Sequence, residues 1–502
     1  MKRILLVVLM LPMMIITSCS DESGGMEPIE QGTEISKFYF LKAKNPSLGF
    51  DVYSNIQNNI ITTRLPLGSD IKNLVASFES NGSEIWTNNS LQISGTSVND
   101  FTQIQNYTVK TSDGQSDQYE VDLTNFTGLP IIYLETTNGV PIDSKEDYRP
   151  GLISIDGGRY LTDLSSTTMK IRGRGNSTWW VHPKKPYQLK FDEKTEMLGM
   201  PKDKTWIFLA EYSDKTLIRN KIAFEMGYLS HLDWTPQSVF TEVVVNGTYN
   251  GTYNISQKVE DSDNRVALGD TGYLLEIDQL DRLDPDDVYF RTNSFLINIK
   301  EPETTYNSNE YNYANELLNE FENALMGEQF TDPDIGYAKY IDIDSFIDWY
   351  LISEITKNQD SKSFSSIFLN VIPGEKIKMG PLWDFDLAFG NVDYSECEFP
   401  TGFWVKDHPW FDRLFDDEVF VAQVKERFLY FKENQNFILE KMDYYANQLR
   451  YAQLENDYKW DLFGNYVWPN PVVFGTHKAE VDHLKSWYTE RMNWLDAAYK
   501  EL

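Results

Sequence analysis

Between about residues 33 and 127 apolar and polar positions alternate, with turn residues recurring roughly every eight to twelve places. The runs Lys37-Phe38-Tyr39-Phe40, Ile60-Ile61-Thr62-Thr63, Leu74-Val75-Ala76-Ser77-Phe78, Tyr107-Thr108-Val109-Lys110 and Tyr119-Glu120-Val121-Asp122-Leu123 each carry this period of two. A period of two puts successive side chains on opposite faces, so each run predicts a half-buried strand, and the series predicts an all-β sandwich.

From Pro130 the pattern changes. Strands dominate to about residue 300, as in Ile131 to Leu134, Met169 to Arg172, Tyr187 to Phe191, Trp206 to Leu209 and Glu242 to Val245, with one helical stretch from about Lys215 to Leu229. After about Asn309 apolar and aromatic residues recur at helical spacing, for example over Asp344 to Ile355 and Val421 to Arg450. A strand-rich half followed by a helix-rich half predicts an α+β domain of two lobes over 130–502. The aromatics on these helices are read as core.

The N-terminus changes the picture of location. Met1-Lys2-Arg3 precede an apolar run from Ile4 to Ile16, then Thr17-Ser18-Cys19. That is a secretory signal, too short for a convincing membrane span. Ile16-Thr17-Ser18-Cys19 resembles a bacterial lipobox, which implies a signal peptide over 1–18, lipid on Cys19 and a tethering linker over 19–32. Ser20-Asp21-Glu22 is similar to the surface-export signal of Bacteroidetes-type lipoproteins. The expected location is extracytoplasmic, lipid-anchored at the outer membrane and surface-exposed. The segment 33–127 resembles the immunoglobulin-like modules that follow such anchors, whose ordinary work is to act as spacers.

With only Cys397 beyond Cys19, the mature chain has no internal disulfide and relies on its cores. A net charge of -31 repels phosphate and excludes nucleic acid as a partner, while drawing cations to any acidic cleft.

Three blocks carry candidate chemistry. In Ile171-Arg172-Gly173-Arg174-Gly175-Asn176-Ser177-Thr178-Trp179, ahead of Lys184 to Lys190, two glycines permit close backbone approach and the cations offer an anion site. A plain hairpin accounts for the same turn. In Trp383-Asp384-Phe385-Asp386, two carboxylates among bulky apolar neighbours suit a hard cation, although a turn cap beside a solvated aspartate accounts for an isolated Asp-x-Asp. In Lys357-Asn358-Gln359-Asp360, a carboxylate after a helix and before a strand can face a cleft and accept a hydroxyl proton, or lie in a surface loop. Asp360 precedes Asp384 by 24 residues, room for a strand pair.

In this order, and with Lys185-Pro186-Tyr187, Leu198 to Pro201, Asp214 to Asn220, Asn246 to Tyr253 and Leu275-Glu276-Ile277-Asp278, the blocks resemble the CotH kinase family of spore-coat-protein-H-like atypical kinases. The resemblance covers nearly everything from Ile131 onward. It implies a protein-kinase-like fold, ATP with Mg2+ or Mn2+, and a secreted or cell-surface protein as phosphate acceptor. Asp384 matches the metal-binding aspartate, Asp386 its companion, and Asp360 the aspartate taken as catalytic. By kinase logic Lys190 is the expected phosphate-holding cation, with Glu225 as its ion-pair partner. Arg172 and Arg174 are the alternatives, and the backbone of Lys258 to Glu260 is placed at the adenine. One departure stands out: the asparagine that follows the catalytic aspartate by about five residues in ordinary kinases, where it helps hold a second metal, is here Ser365.

The leading reading is an extracytoplasmic protein kinase. The alternative is a non-catalytic surface scaffold or a glycan- or matrix-binding lipoprotein with a pseudokinase fold. A glycosidase using paired carboxylates is a third reading, for which the sequence supplies no carboxylate separation.

Overall fold

The computed structural model describes residues 32–502, save 49–50, 67–68 and 159. The expected signal peptide, the lipidation site Cys19 and the linker up to residue 31 lie outside the described residues. The described residues divide into two compact units, one within 32–65 and 69–124 and the other within 125–502.

The first unit is all-β. Its strands form sheets of three and six plus a two-stranded pair, over a core that includes Phe38, Phe40, Ile61, Leu65, Tyr107, Val109 and Val121. The expected run from Leu74 to Phe78 is two strands, Leu74–Val75 and Ser77–Ser80, in different sheets. The Asn45 carboxamide accepts from the Val75 amide at 2.8 Å and donates to its carbonyl at 3.0 Å, so these ladder groups are already taken.

The second unit is α+β. Strands β1 (Ile131–Thr136), β2 (Arg149–Asp156), β3 (Leu164–Gly173), β4 (Tyr187–Met197), β5 (Met200–Leu209), β6 (Ser238–Val245) and β7 (Thr248–Gln257) close into a barrel in the order β1-β2-β3-β4-β5-β7-β6. Alternation fills it: Ile132, Leu134, Ile153, Ile171, Leu189, Phe208, Val243 and Ile255 are buried together inside. A five-stranded sheet follows, built from β8 (Tyr273–Asp278), β9 (Val288–Arg291), β10 (Leu296–Glu301), β11 (Ile367–Val371) and β12 (Lys378–Met379) in the order β9-β10-β8-β11-β12. It shares a second, larger core with the helices.

Helix α1 (Ser177–Val181) interrupts the barrel between β3 and β4, and α2 (Arg219–Tyr228) lies between β5 and β6. Helix α2 starts later than its apolar spacing suggests. The Asp214 carboxylate accepts from the amides of Thr216 at 3.0 Å and Arg219 at 2.8 Å and folds the approach into a turn. Then come α3 (Asn309–Met326), α4 (Ile343–Thr356), α5 (Pro409–Leu414), α6 (Glu418–Glu433), α7 (Gln435–Gln448), α8 (Ala452–Trp460) and α9 (His477–Glu501). The helical spacing over Val421 to Arg450 is carried by two helices, α6 and α7. At the break, the Asn434 side chain donates back to the Tyr430 carbonyl at 2.9 Å and competes with the helical ladder. Among the described residues no helix is long and apolar enough to cross a membrane.

Candidate functional site

The Trp383 to Asp386 segment leaves β12 with Leu382 and Phe385 fully buried. Anchoring these apolar side chains turns Asp384 and Asp386 the other way, into a cleft lined also by Arg174, Thr178, Lys184, Glu211 and Asn220. Asp384 sits at φ 64°, a left-handed conformation that costs energy for any residue but glycine, so the surroundings must hold it. They do so through backbone bonds. The Phe385 amide donates to Asn220 Oδ1 at 2.7 Å, Asn358 Nδ2 donates to the Asp384 carbonyl at 3.1 Å, and Asn391 Nδ2 donates to the Asp386 carbonyl at 2.8 Å.

Asp360 lies in a short 3-10 turn, Gln359–Lys362, after α4. Asn358 caps this turn, its Oδ1 accepting from the Asp360 amide at 3.4 Å. The same side chain thus touches the backbone of both Asp360 and Asp384. Between the two aspartates, β11 and β12 pair antiparallel, which returns the chain to the cleft. Lys357 is structural: its ammonium donates to the carbonyls of Glu396, Phe399 and Thr401.

Carboxylates crowd around Asp384 and Asp386. Burial, and then the charge of Asp384, pushes Asp360 up to about 7. Burial likewise raises Asp384, against the pull of Arg174 and Arg282, and raises Asp386 well above the usual carboxylate range. Glu276 and Asp278, on β8, are raised mainly by burial to about 7 and about 6, and Glu211 to about 8. The Ser366 amide donates to Glu276 at 3.0 Å, and its hydroxyl reaches Asp384 Oδ2 at 3.5 Å. So many buried or half-buried acids close together favour either protons or a cation.

Arg174 is the cation that answers them. Its charge acts on Asp384, Glu276 and Asp386, its guanidinium lies 5.4 Å from the Trp383 ring centroid, and among the described residues no protein hydrogen bond engages that guanidinium. Gly173 sets the approach to it: a Cβ there would fall 2.3 Å from the Trp179 ring, so only glycine lets α1 pack against β3.

The other expected cations lie elsewhere. Arg172 donates to the Lys145 carbonyl at 2.7 Å and stacks over Tyr148, outside the carboxylate cluster. Lys190 is exposed on the barrel, since the alternation that buries Tyr187, Leu189 and Phe191 turns it outward, across from Lys170. The expected Lys190–Glu225 pair is not formed. Glu225 instead receives Lys441 at 3.0 Å and the Tyr445 hydroxyl. The buried lysine beside the cleft is Lys184, lowered to about 7 by burial and bonded to the Thr252 carbonyl and, at 2.9 Å, to Asn456. At the expected adenine contact, the Lys258 carbonyl accepts from Arg265 at 3.4 Å.

Sequence reasoning also gave no role to Arg282, Glu211, Asn220 and Glu276. The stretches Asp214 to Asn220 and Leu275 to Asp278 were visible as motif, but what they do depends on contacts across more than a hundred residues. Arg219 Nε, for example, donates to the Ala388 carbonyl at 3.2 Å.

Among the described residues, no three His, Cys, Asp or Glu side chains close around a metal by themselves. A magnesium-type ion does not require such a cage. It takes one or two carboxylates and completes its shell with water and phosphate oxygens, and the paired, partly buried oxygens of Asp384 and Asp386 fit that demand.

Residues 171–495 match a protein-family model described as CotH kinase protein. No curated protein matches the sequence. A solved structure from Bacteroides thetaiotaomicron, provisionally described as a glycoside hydrolase, is 15% identical over 59% of this chain and 89% of its own, with a TM-score of 0.17. At that score the similarity carries no argument.

Proposed function

The chain belongs to the CotH kinase protein family, and from that premise we propose that it is a protein kinase working outside the cytoplasm, transferring the ATP γ-phosphoryl group to a protein hydroxyl. The observation that carries this reading is the meeting of Asp384, Asp386 and Arg174 at one cleft, with Asp360 tied to Asp384 through the Asn358 side chain and feeling its charge. The barrel core and the helical core are, on this reading, the two lobes of a kinase-like fold.

Phosphoryl transfer asks mainly for positioning and charge neutralisation. Arg174 holds phosphate oxygens, for which it is uncommitted. Asp384 and Asp386 hold the divalent metal, Mg2+ or Mn2+, which when bound neutralises charge on the phosphates. Asp360, with its proton affinity raised toward neutrality, accepts the proton of the acceptor hydroxyl. Lipid on Cys19 would keep the enzyme at the outer-membrane surface, with the all-β unit as an immunoglobulin-like spacer and a surface or secreted protein as substrate.

The test is phosphate transfer by the purified protein with ATP and Mg2+ or Mn2+. Asp384→Ala and Asp360→Ala should each abolish it while leaving the protein folded. Metal-dependent turnover unchanged in both variants would sink the assignment.

One observation favours the second reading, a surface scaffold or glycan binder: Ser365 occupies the second-metal position and is bonded to Arg282 at 3.1 Å. Ligand at 100 times its Kd stabilises a protein by about 2.7 kcal/mol. A rise in Tm with ATP and Mg2+ supports the kinase, whereas a rise with polysaccharide alone supports the scaffold.

A further inference from the structure

Ser365 is buried, and its Oγ accepts a hydrogen bond from Arg282 Nη1 at 3.1 Å. Arg282 ends the short turn Leu280–Arg282, just beyond Asp278 on β8. Its positive charge acts on Asp278, Asp360 and Asp384, and among the described residues it forms no ion pair within 4 Å. A divalent ion ligated by Ser365 would stand beside the Arg282 guanidinium, hydrogen-bonded to the same hydroxyl, and like charges at that range repel. The residues present therefore do not fit a second metal.

They fit a phosphate instead. A guanidinium presents a planar fork of donors matched to phosphate oxygens, and it supplies the neutralising charge that a metal otherwise brings. Asp384 lies under the influence of two such groups, Arg174 just after β3 and Arg282 in the turn after β8.

Resting on the phosphotransfer reading above, we propose that Arg282 replaces the second metal ion: Ser365 anchors a built-in cation for the reacting phosphates, and the site takes one divalent ion per nucleotide.

The experiment is an electron paramagnetic resonance titration of Mn2+ into the whole purified protein with a non-hydrolysable ATP analogue. One bound Mn2+ per bound nucleotide is expected for the unaltered protein, a count that needs no variant. Arg282→Met should weaken analogue binding about tenfold, and Ser365→Asn with Arg282→Met should raise the count to two. Two Mn2+ per nucleotide in the unaltered protein, or unchanged affinity in Arg282→Met, overturns the inference and leaves the kinase reading standing. No nucleotide-dependent Mn2+ at all overturns both.

Discussion

The Phe385 amide donates to Asn220 Oδ1 at 2.7 Å, while the other end of the same carboxamide donates to Glu211 at 3.2 Å. One buried side chain on α2 thus sets the loop that carries Asp384 and Asp386 and also occupies an acid that lines the same cleft. Replacing Asn220 with alanine leaves a buried amide and a buried carboxylate without this partner. Each unsatisfied group costs about 1–3 kcal/mol. Chemical denaturation should show a loss of that order, and metal-dependent nucleotide binding should weaken with it.

Arg174 and Lys190 should behave in opposite ways. Arg174→Ala removes the cation that faces the carboxylates, and nucleotide affinity measured by calorimetry should fall at least tenfold, the effect of losing one charge-assisted bond of about 1.5 kcal/mol. Lys190→Ala touches an exposed position on the barrel and should change neither affinity nor stability by more than about 0.5 kcal/mol. The reverse result would restore the kinase-style lysine.

Without metal, stability should fall as pH rises. Asp360 and Glu276 at about 7 and Asp278 at about 6 hold protons in the folded protein that the unfolded chain gives up near pH 4. The folded state therefore binds more protons across roughly pH 4 to 7, and linkage then makes its stability decline over that window. Thermal melts in chelator should show a lower Tm at pH 8 than at pH 5.5. Asp360→Asn should flatten the slope, and added Mn2+ should raise Tm more at pH 8. A chelated protein more stable at pH 8 would contradict the crowding of acids.

The base of the turn that carries Asp360 rests on an ion pair. Arg491 on α9 meets Glu354 on α4 at 2.5 Å, both side chains 0% exposed, and Glu354 also accepts from the amides of Trp404, Val405 and Lys406. Removing one partner of a buried pair typically costs about 3–5 kcal/mol. Arg491→Met should lower the urea midpoint accordingly, with the loss of metal-dependent binding following the loss of fold.

Local pattern alone was enough for much of this molecule. Alternation marked the strands of the all-β unit and the barrel, and helical spacing marked α4, because both periods follow from backbone geometry and need only neighbouring residues. The same alternation, over Tyr187, Leu189 and Phe191, turns Lys190 outward, against the role that kinase logic gives it. Asp360, Asp384 and Asp386 stand out in the sequence as motif residues. Their meeting does not, since it depends on a strand pair returning the chain and on Asn358 and Asn220 bonding across it. Tertiary structure alone decides which cations lie near Asp384 and Asp386. Arg174, Arg282, Lys184 and Lys190 look alike in sequence, and burial, which sets both their reach and the proton affinity of the acids they face, is a property of the packed chain.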